Sequence, residues 1–373
     1  MMLQKVSQLE LGLLFVLFNF STGAGFMLGP LSSASGFQGW LVIIVGHFGG
    51  LAIAFMAYHF AKNRPNDFLA HYGKELIGRW LHIPMMVCYC FFFIHIASIV
   101  LRQTMDFLIQ IYLPATPSWA IGGSFALVIW LAVRSGPEAI FRCAAGFFFV
   151  IFVTASFVPF LVGKELNYHS AVALITNLDM RQLTVASYPF IPWFGEMFLI
   201  LFIFPLLAEP EKTRRTLVLS SLFSILFFEL YYLLCILLFD KHLMAEITYP
   251  ILEMLRFIRI GDFLENLDPI VVSIWIAGLF IKISLLLYVS VLIFAQLFKL
   301  KDTRPLSFSF GAIMVGLSMN VVKSQVELND FLMHSWANFA YCVELSPVVY
   351  WAAFKLRKVF KAKKAANEPA IES

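Results

Sequence analysis

The first apolar run of the chain, Leu9 to Leu31, is interrupted in its middle by Ser21-Thr22-Gly23-Ala24-Gly25 and closed by Pro30. A helix crossing hydrocarbon would continue there in Leu and Phe. Backbone at membrane depth can leave the helix only where protein or a water-filled cavity satisfies its N–H and C=O groups, so a Gly-rich break inside such a run points to a ligand site. Close packing of two helices through small residues is the alternative reading of the same stretch.

The rest of the chain is of the same kind. Apolar residues make up 60% and charged residues 13%, with 41 Phe and a mean hydropathy of +0.83, which is more apolar than a soluble core requires. The alternation of a membrane barrel is absent, and the apolar runs are long enough to cross hydrocarbon as helices. The expected fold class is an all-α polytopic membrane protein. Ten spans are expected, at about 9 to 31, 39 to 61, 80 to 112, 119 to 134, 143 to 163, 187 to 208, 217 to 239, 267 to 298, 306 to 323 and 335 to 356. With the amino terminus inside, the loops and tail carry 19 Lys and Arg on the inner side and 6 on the outer side. The positive-inside rule therefore places both termini in the cytoplasm. Met1 to Glu10 lacks a cleavage-site pattern, so the first span is expected to remain as a membrane helix.

Soluble enzymology has no foothold in the motifs. Cys88-x-Cys90 has the wrong spacing for zinc or a redox pair, and Cys143, Cys235 and Cys342 also fall in or beside apolar spans as packing residues. His47, His59 and His95 show no ligand spacing, and neither a Walker-type loop nor a nucleophile elbow is present. No enzyme activity, cofactor, metal or nucleic-acid partner is expected. The net charge of +4 reflects loops and tail.

A weak internal symmetry relates spans one to five and six to ten. Each half opens with a span broken by Gly or Pro, at Ser21 to Gly25 and at Tyr188-Pro189, Pro192 and Gly195. Each has a long third span, a short fourth, and an amphipathic linker before the third that starts at Pro65 or Pro250. Five spans per half put the halves in opposite orientation, the 5+5 inverted-repeat plan of transporters with broken first and sixth helices. Residues 1–163 form the first repeat, 187–356 the second and 357–373 a basic tail within one membrane domain.

The motifs resemble those of the endospore germination permease family. They include Gly23-Ala24-Gly25 before Leu28-x-Pro30 and Trp40, then Leu113-Pro114-x-Thr116-Pro117-x-Trp119 and Gly136-x-Glu138 with Arg142. Gly195-Glu196 ahead of Pro205, Tyr249-Pro250, Phe263-x-Glu265, Trp275, Phe280-x-Lys282, Tyr288 and Leu297-Phe298-x-Leu300-x-Asp302 follow in order. No single motif is specific, whereas the ordered set is. That family is similar to the amino acid, polyamine and organocation transporter superfamily, and its members are B subunits of nutrient germinant receptors in the spore inner membrane. The resemblance implies recognition of a small nutrient, often an amino acid, and signalling to partner A and C subunits.

The residues themselves suggest where. If the first helix unwinds at Thr22 to Gly25, N–H groups freed at the start of its second half, aided by the helix dipole, favour a carboxylate, and Gly23, Ala24 and Gly25 let a ligand touch backbone. Across from them, Glu196 would receive an ammonium group, or belong to a buried network, beside Gly195 with Phe194 as an apolar wall. Lys282 lies midway along span eight, where an unpaired charge costs about 2.5 to 3.5 kcal/mol. Its ammonium would bridge to the first-helix break in place of a sodium ion, or pair with Glu196, Glu229 or Glu344. Tyr89, Phe92, Phe93 and His95 offer an aromatic surface on which Phe92 and Phe93 cannot both face the cavity. Arg102 and Asp106, four apart, are expected to form a structural ion pair. The basic tail, from Lys355 to Lys364, would lie on anionic lipid. A proton-coupled amino acid transporter, or an ion or solute conduit within a receptor complex, are the alternatives to a sensing subunit.

Overall fold

The computed structural model describes residues 5–257, 268–300 and 302–367, with side chains as far as 357. The motif Phe263-x-Glu265, most of the second amphipathic linker and the tail residues Lys358 to Lys364 therefore lie outside the described residues or side chains.

Helix α1 (Gln8–Thr22) starts at Ser7, whose side chain and that of Glu10 cap each other's backbone N–H groups at 3.2 and 2.9 Å. It passes through a π-helical turn, Gly23–Met27, into α2 (Leu28–Ser35). The expected break is thus a widened turn and not an unwound segment. Pro30 is the local cause: it lacks the N–H that would reach the Phe26 carbonyl, and its ring crowds that carbonyl, which favours a wider turn just before it. Gly36, at φ 54°, then reverses the chain into α3 (Gly39–Ala61).

An amphipathic α4 (Leu69–Ile77) leads through Gly78 (φ 82°) into the long α5 (Arg79–Ile111), followed by α6 (Ser118–Ser135) and α7 (Pro137–Val162). After the short α8 (Ala173–Thr176), α9 (Met180–Gly195) is capped by Asp179 and continues through a 3-10 turn, Glu196–Leu199, into α10 (Ile200–Ile203). Pro192 removes the donor for the Tyr188 carbonyl, and the Tyr341 hydroxyl donates to it instead at 2.9 Å. The chain closes with α11 (Thr213–Glu246, kinked at Asp240), α12 (Pro250–Arg256), α13 (Asp268–Leu297), α14 (Arg304–Asn320), α15 (Gln325–Phe331), a π turn, α16 (Ala337–Glu344) and α17 (Pro347–Asn367). A helix break at Leu345-Ser346 falls inside the expected span 335 to 356, and α17 packs on α4 and α3.

Seven of these segments are long and apolar enough to cross a membrane, or eight with α14 and the helices after it, bent by 104°, taken as one. Ten were expected; Gln8–Ala61 passes as one segment although it holds the first two expected spans on either side of Gly36. No strand occurs among the described residues, whose only β contact is a bridge between Val6 and Leu207.

The segments are not equivalent. In the apolar stretch of Met180–Leu206, 94% of residues are buried in protein, against 22% for Ser118–Ser135 and 28% for Pro137–Glu165. The broken α9–α10 segment is therefore central, with α6 and α7 on the lipid-facing periphery. It lies along α3, and α1 lies against α7, α11 and α13. Small residues set the spacing: a Cβ on Gly50 of α3 would run into the backbone of Phe194 and Gly195. Gly50→Val should accordingly lower the melting temperature by an amount equivalent to about 1–3 kcal/mol or more. Gly123→Ala, with nothing within 4 Å of the added methyl, should leave it unchanged or slightly raised.

Candidate functional site

The two interrupted segments meet at a buried charge. Lys282, on α13, places Nζ 2.7 Å from Glu196 Oε2 and donates to Thr22 Oγ1 at 2.9 Å, and the side chains of Lys282 and Glu196 are each only 1% exposed. One ammonium thus ties the last residue of α1 to the first residue of the 3-10 turn after α9. Its charge also lies 4.4 Å from the centre of the Phe18 ring. Of the three carboxylates that could have compensated Lys282, Glu196 does so directly. Glu229 sits on α11 with Oε1 lacking any hydrogen-bond partner among the described residues.

Glu344 is the residue whose weight the sequence understated. It is fully buried at the end of α16, and neither carboxylate oxygen has a hydrogen-bond partner among the described residues. The carboxylate occupies the space where a Cβ on Gly195 would stand, within electrostatic range of both Glu196 and Lys282. A second buried acid therefore stands beside the ion pair without pairing with its ammonium. The signal was legible as a single acid within an otherwise apolar run. Asn19 adds a further polar group, its Nδ2 donating to Met197 Sδ at 3.4 Å while Oδ1 finds no described partner.

The other expected residues divide into neighbourhoods. Gly23 faces the ring of Phe228, which also meets Phe194 edge-on at 5.9 Å. Phe194 stacks on His47 at 3.6 Å, so a histidine without ligand spacing in the sequence still lines this wall. Ala24 and Gly25 face the opposite way, onto a small cavity of about 50 Å3 with Phe107, Tyr249 and Trp275. A Cβ on Gly25 would collide with the Trp275 indole, whose Nε1 donates to the Ser21 carbonyl at 2.6 Å. The space beside Gly25 is thus filled by an indole in this structure.

Tyr89 and Phe93 lie further along α5. Phe93 stacks on Phe198 at 5.3 Å, and Tyr89 packs on Phe202 at 4.9 Å while hydrogen-bonding Ser346 at 2.6 Å. They contact the segment after Glu196 and not the π turn. Phe92 also reaches Phe198, at 5.7 Å, so both neighbouring rings contact the same side chain, and neither lines the cavity beside Gly25 or the larger one at the end of the bundle. Arg102 and Asp106 form the expected pair at 2.8 Å, and Arg102 also donates to the Val322 carbonyl at 2.7 Å, tying α5 to the end of α14.

A cavity of about 1120 Å3 opens at the end of the bundle opposite the amino terminus. Phe26, Pro30, Gln182, Tyr188, Pro189, His334 and Asn338 are among its walls, so α2, the first half of α9 and the helices after α14 form its sides. Among the described residues no group of three or more His, Cys, Asp or Glu could hold a metal ion. The cavity is thus walled by both interrupted segments, while the Lys282–Glu196–Thr22 junction lies among buried side chains outside its lining.

Residues 6–326 match the family model described as spore germination protein. The chain belongs to the spore germination protein family. Its relatives include spore germination protein KB of Bacillus subtilis (strain 168), 25% identical over 318 residues, which are 84% of this chain and 85% of that protein. Spore germination protein XB of Bacillus anthracis is 21% identical over 257 residues, 68% and 71% of the two chains. Solved structures of transporters share the fold. MhsT in complex with L-phenylalanine has a TM-score of 0.64 at 12% identity, covering 92% of this chain and 97% of that one. Mhp1, a nucleobase-cation-symport-1 family transporter, has a TM-score of 0.61 at 12% identity, over 93% and 77%. The all-helical inverted-repeat expectation thus agrees with the fold.

A buried pair whose one partner is removed leaves the other charged and unsolvated. Lys282→Met should therefore destabilise the protein by about 3–5 kcal/mol, whereas Lys282→Met with Glu196→Gln should recover most of that loss. Denaturation of the purified variants checks the coupling, and additive losses would separate the two residues.

Proposed function

We propose that this protein is the solute-sensing B subunit of a spore germination receptor. It binds a small nutrient, an amino acid by preference, between the interrupted first and sixth segments and passes the resulting shift to A and C subunits. Its membrane is the spore inner membrane, with both termini in the cytoplasm. The observation that carries the reading is the junction at Lys282, which joins Thr22 to Glu196 and so couples two segments whose outer parts wall the large cavity. Family membership supports the germination role, and the fold shared with MhsT, solved with L-phenylalanine, supports the substrate class.

Ligand binding would act by biasing two arrangements of these segments. Lys282 supplies a fixed cation in the place of a coupling ion, in contrast to a Na+-coupled sialic acid symporter of similar fold. No enzymatic step is part of this function. Proton-coupled transport is a second reading, favoured by one observation: Glu344 is a buried acid with no hydrogen-bond partner among the described residues, beside an ion pair.

A panel of amino acids, sugars and nucleosides offered to the protein in proteoliposomes separates these readings when binding and uptake are recorded together. Saturable amino acid binding without accumulation is expected, and Gly25→Val, which displaces Trp275 from the Ser21 carbonyl and so disturbs the π turn, should weaken it. Accumulation that follows a proton gradient would make the protein a transporter. Normal binding by Gly25→Val would move the site away from the π turn.

A further inference from the structure

A second cavity, of about 690 Å3, lies at the other end of the bundle, where α4, the start of α5 and the end of α13 converge. His71, Lys74, Arg79, His82, Gln296 and Lys299 line it, and no carboxylate among the described residues does. The nearest acid in sequence, Glu75, is engaged by Arg64 at 3.1 Å. The side chains of Lys74, Arg79 and Lys299 make no hydrogen bond or ion pair among the described residues, and all three are exposed. His82 is a wall and not a ligand, since one ring nitrogen meets the Tyr350 hydroxyl at 2.8 Å and the other the Ala70 carbonyl at 3.0 Å.

The electrostatics of this basin are incomplete as they stand. Arg79 is the first residue of a 33-residue helix, so a cation sits at the end where the helix dipole and free N–H groups favour an anion. Two lysines add to the same potential, and no carboxylate among the lining residues neutralises it. Beside the basin, Trp80 is 95% exposed, with Leu81 and Leu300 also exposed. A Trp at the end of an apolar helix, facing outward, marks the depth of the lipid headgroups. The cavity is therefore placed where a phosphate carried by a lipid would lie, with apolar surface next to it for the acyl chains.

We propose that this basin is a binding site for the phosphate group of an anionic phospholipid, held by Lys74, Arg79 and Lys299 at the amino-terminal end of α5. The site is separate from the solute site and stands or falls independently of it. The three side chains have no hydrogen-bonding duty among the described residues, so neutral replacements preserve the fold. The two amphipathic turns that frame the basin belong to α4, on which α17 packs, so an occupied headgroup site would fix the geometry of that end of the bundle.

The test uses the full-length protein in micelles, with retention of phosphatidylglycerol and phosphatidylcholine followed by native mass spectrometry at low salt. The wild type should retain phosphatidylglycerol in preference, and the triple variant Lys74→Gln, Arg79→Gln, Lys299→Gln should lose about a hundredfold in apparent affinity for it. Lys74→Arg with Lys299→Arg should keep the preference. Equal retention of both lipids by the wild type, or an undiminished preference in the triple variant, would overturn the site. Retention of inorganic phosphate by the wild type without retention of phosphatidylglycerol would overturn the lipid as occupant and assign the basin to a free anion.

Discussion

The ion pair between Lys282 and Glu196 organises the centre of this protein. Both side chains are withdrawn from solvent, so the pair exists only if three helical segments deliver a cation, a carboxylate and a hydroxyl to one point. Desolvating two charges costs several kcal/mol apiece, and a well-packed apolar pair would serve stability as well or better. Its value is therefore positional. It forces the π turn after α1 and the 3-10 turn after α9 to be neighbours, and it holds α13 against both.

The interruptions themselves follow from elementary backbone chemistry. Pro30 and Pro192 remove donors, and the chain answers with a wider turn in one case and with the Tyr341 hydroxyl in the other. Glycines then admit what must come close: the Trp275 ring at Gly25, the Phe228 ring at Gly23, the backbone of Phe194 at Gly50, and the Glu344 carboxylate at Gly195. In a setting without water between helices, close packing and internal hydrogen bonds are the available forces. These contacts explain why small residues gather along the central segments and the helix beside them, while the peripheral α6 and α7 carry exposed apolar side chains.

Much of this was legible beforehand because the relevant signals are local. The apolar runs gave the helices, Gly and Pro marked both interruptions, and the spacing of Arg102 and Asp106 gave their pair. The form of the first interruption was not legible, because a π turn and an unwound segment begin with the same residues. Nor did periodicity reveal that Trp275 covers Gly25, or that Phe92 and Phe93 both reach Phe198, since those contacts join segments far apart in the chain. Glu344 was visible only as one of three acids available to Lys282; its place beside Gly195 is a property of the packed bundle.

The central claim is that the Lys282 junction holds the two interrupted segments as one unit. Hydrogen–deuterium exchange of the wild type and of Lys282→Met, compared peptide by peptide, addresses it without knowledge of the ligand. The account predicts that residues 19 to 31 and residues 193 to 207 lose protection together in the variant, while α6, at the periphery, exchanges as before. Unchanged protection in both segments, or loss confined to one of them, would contradict it.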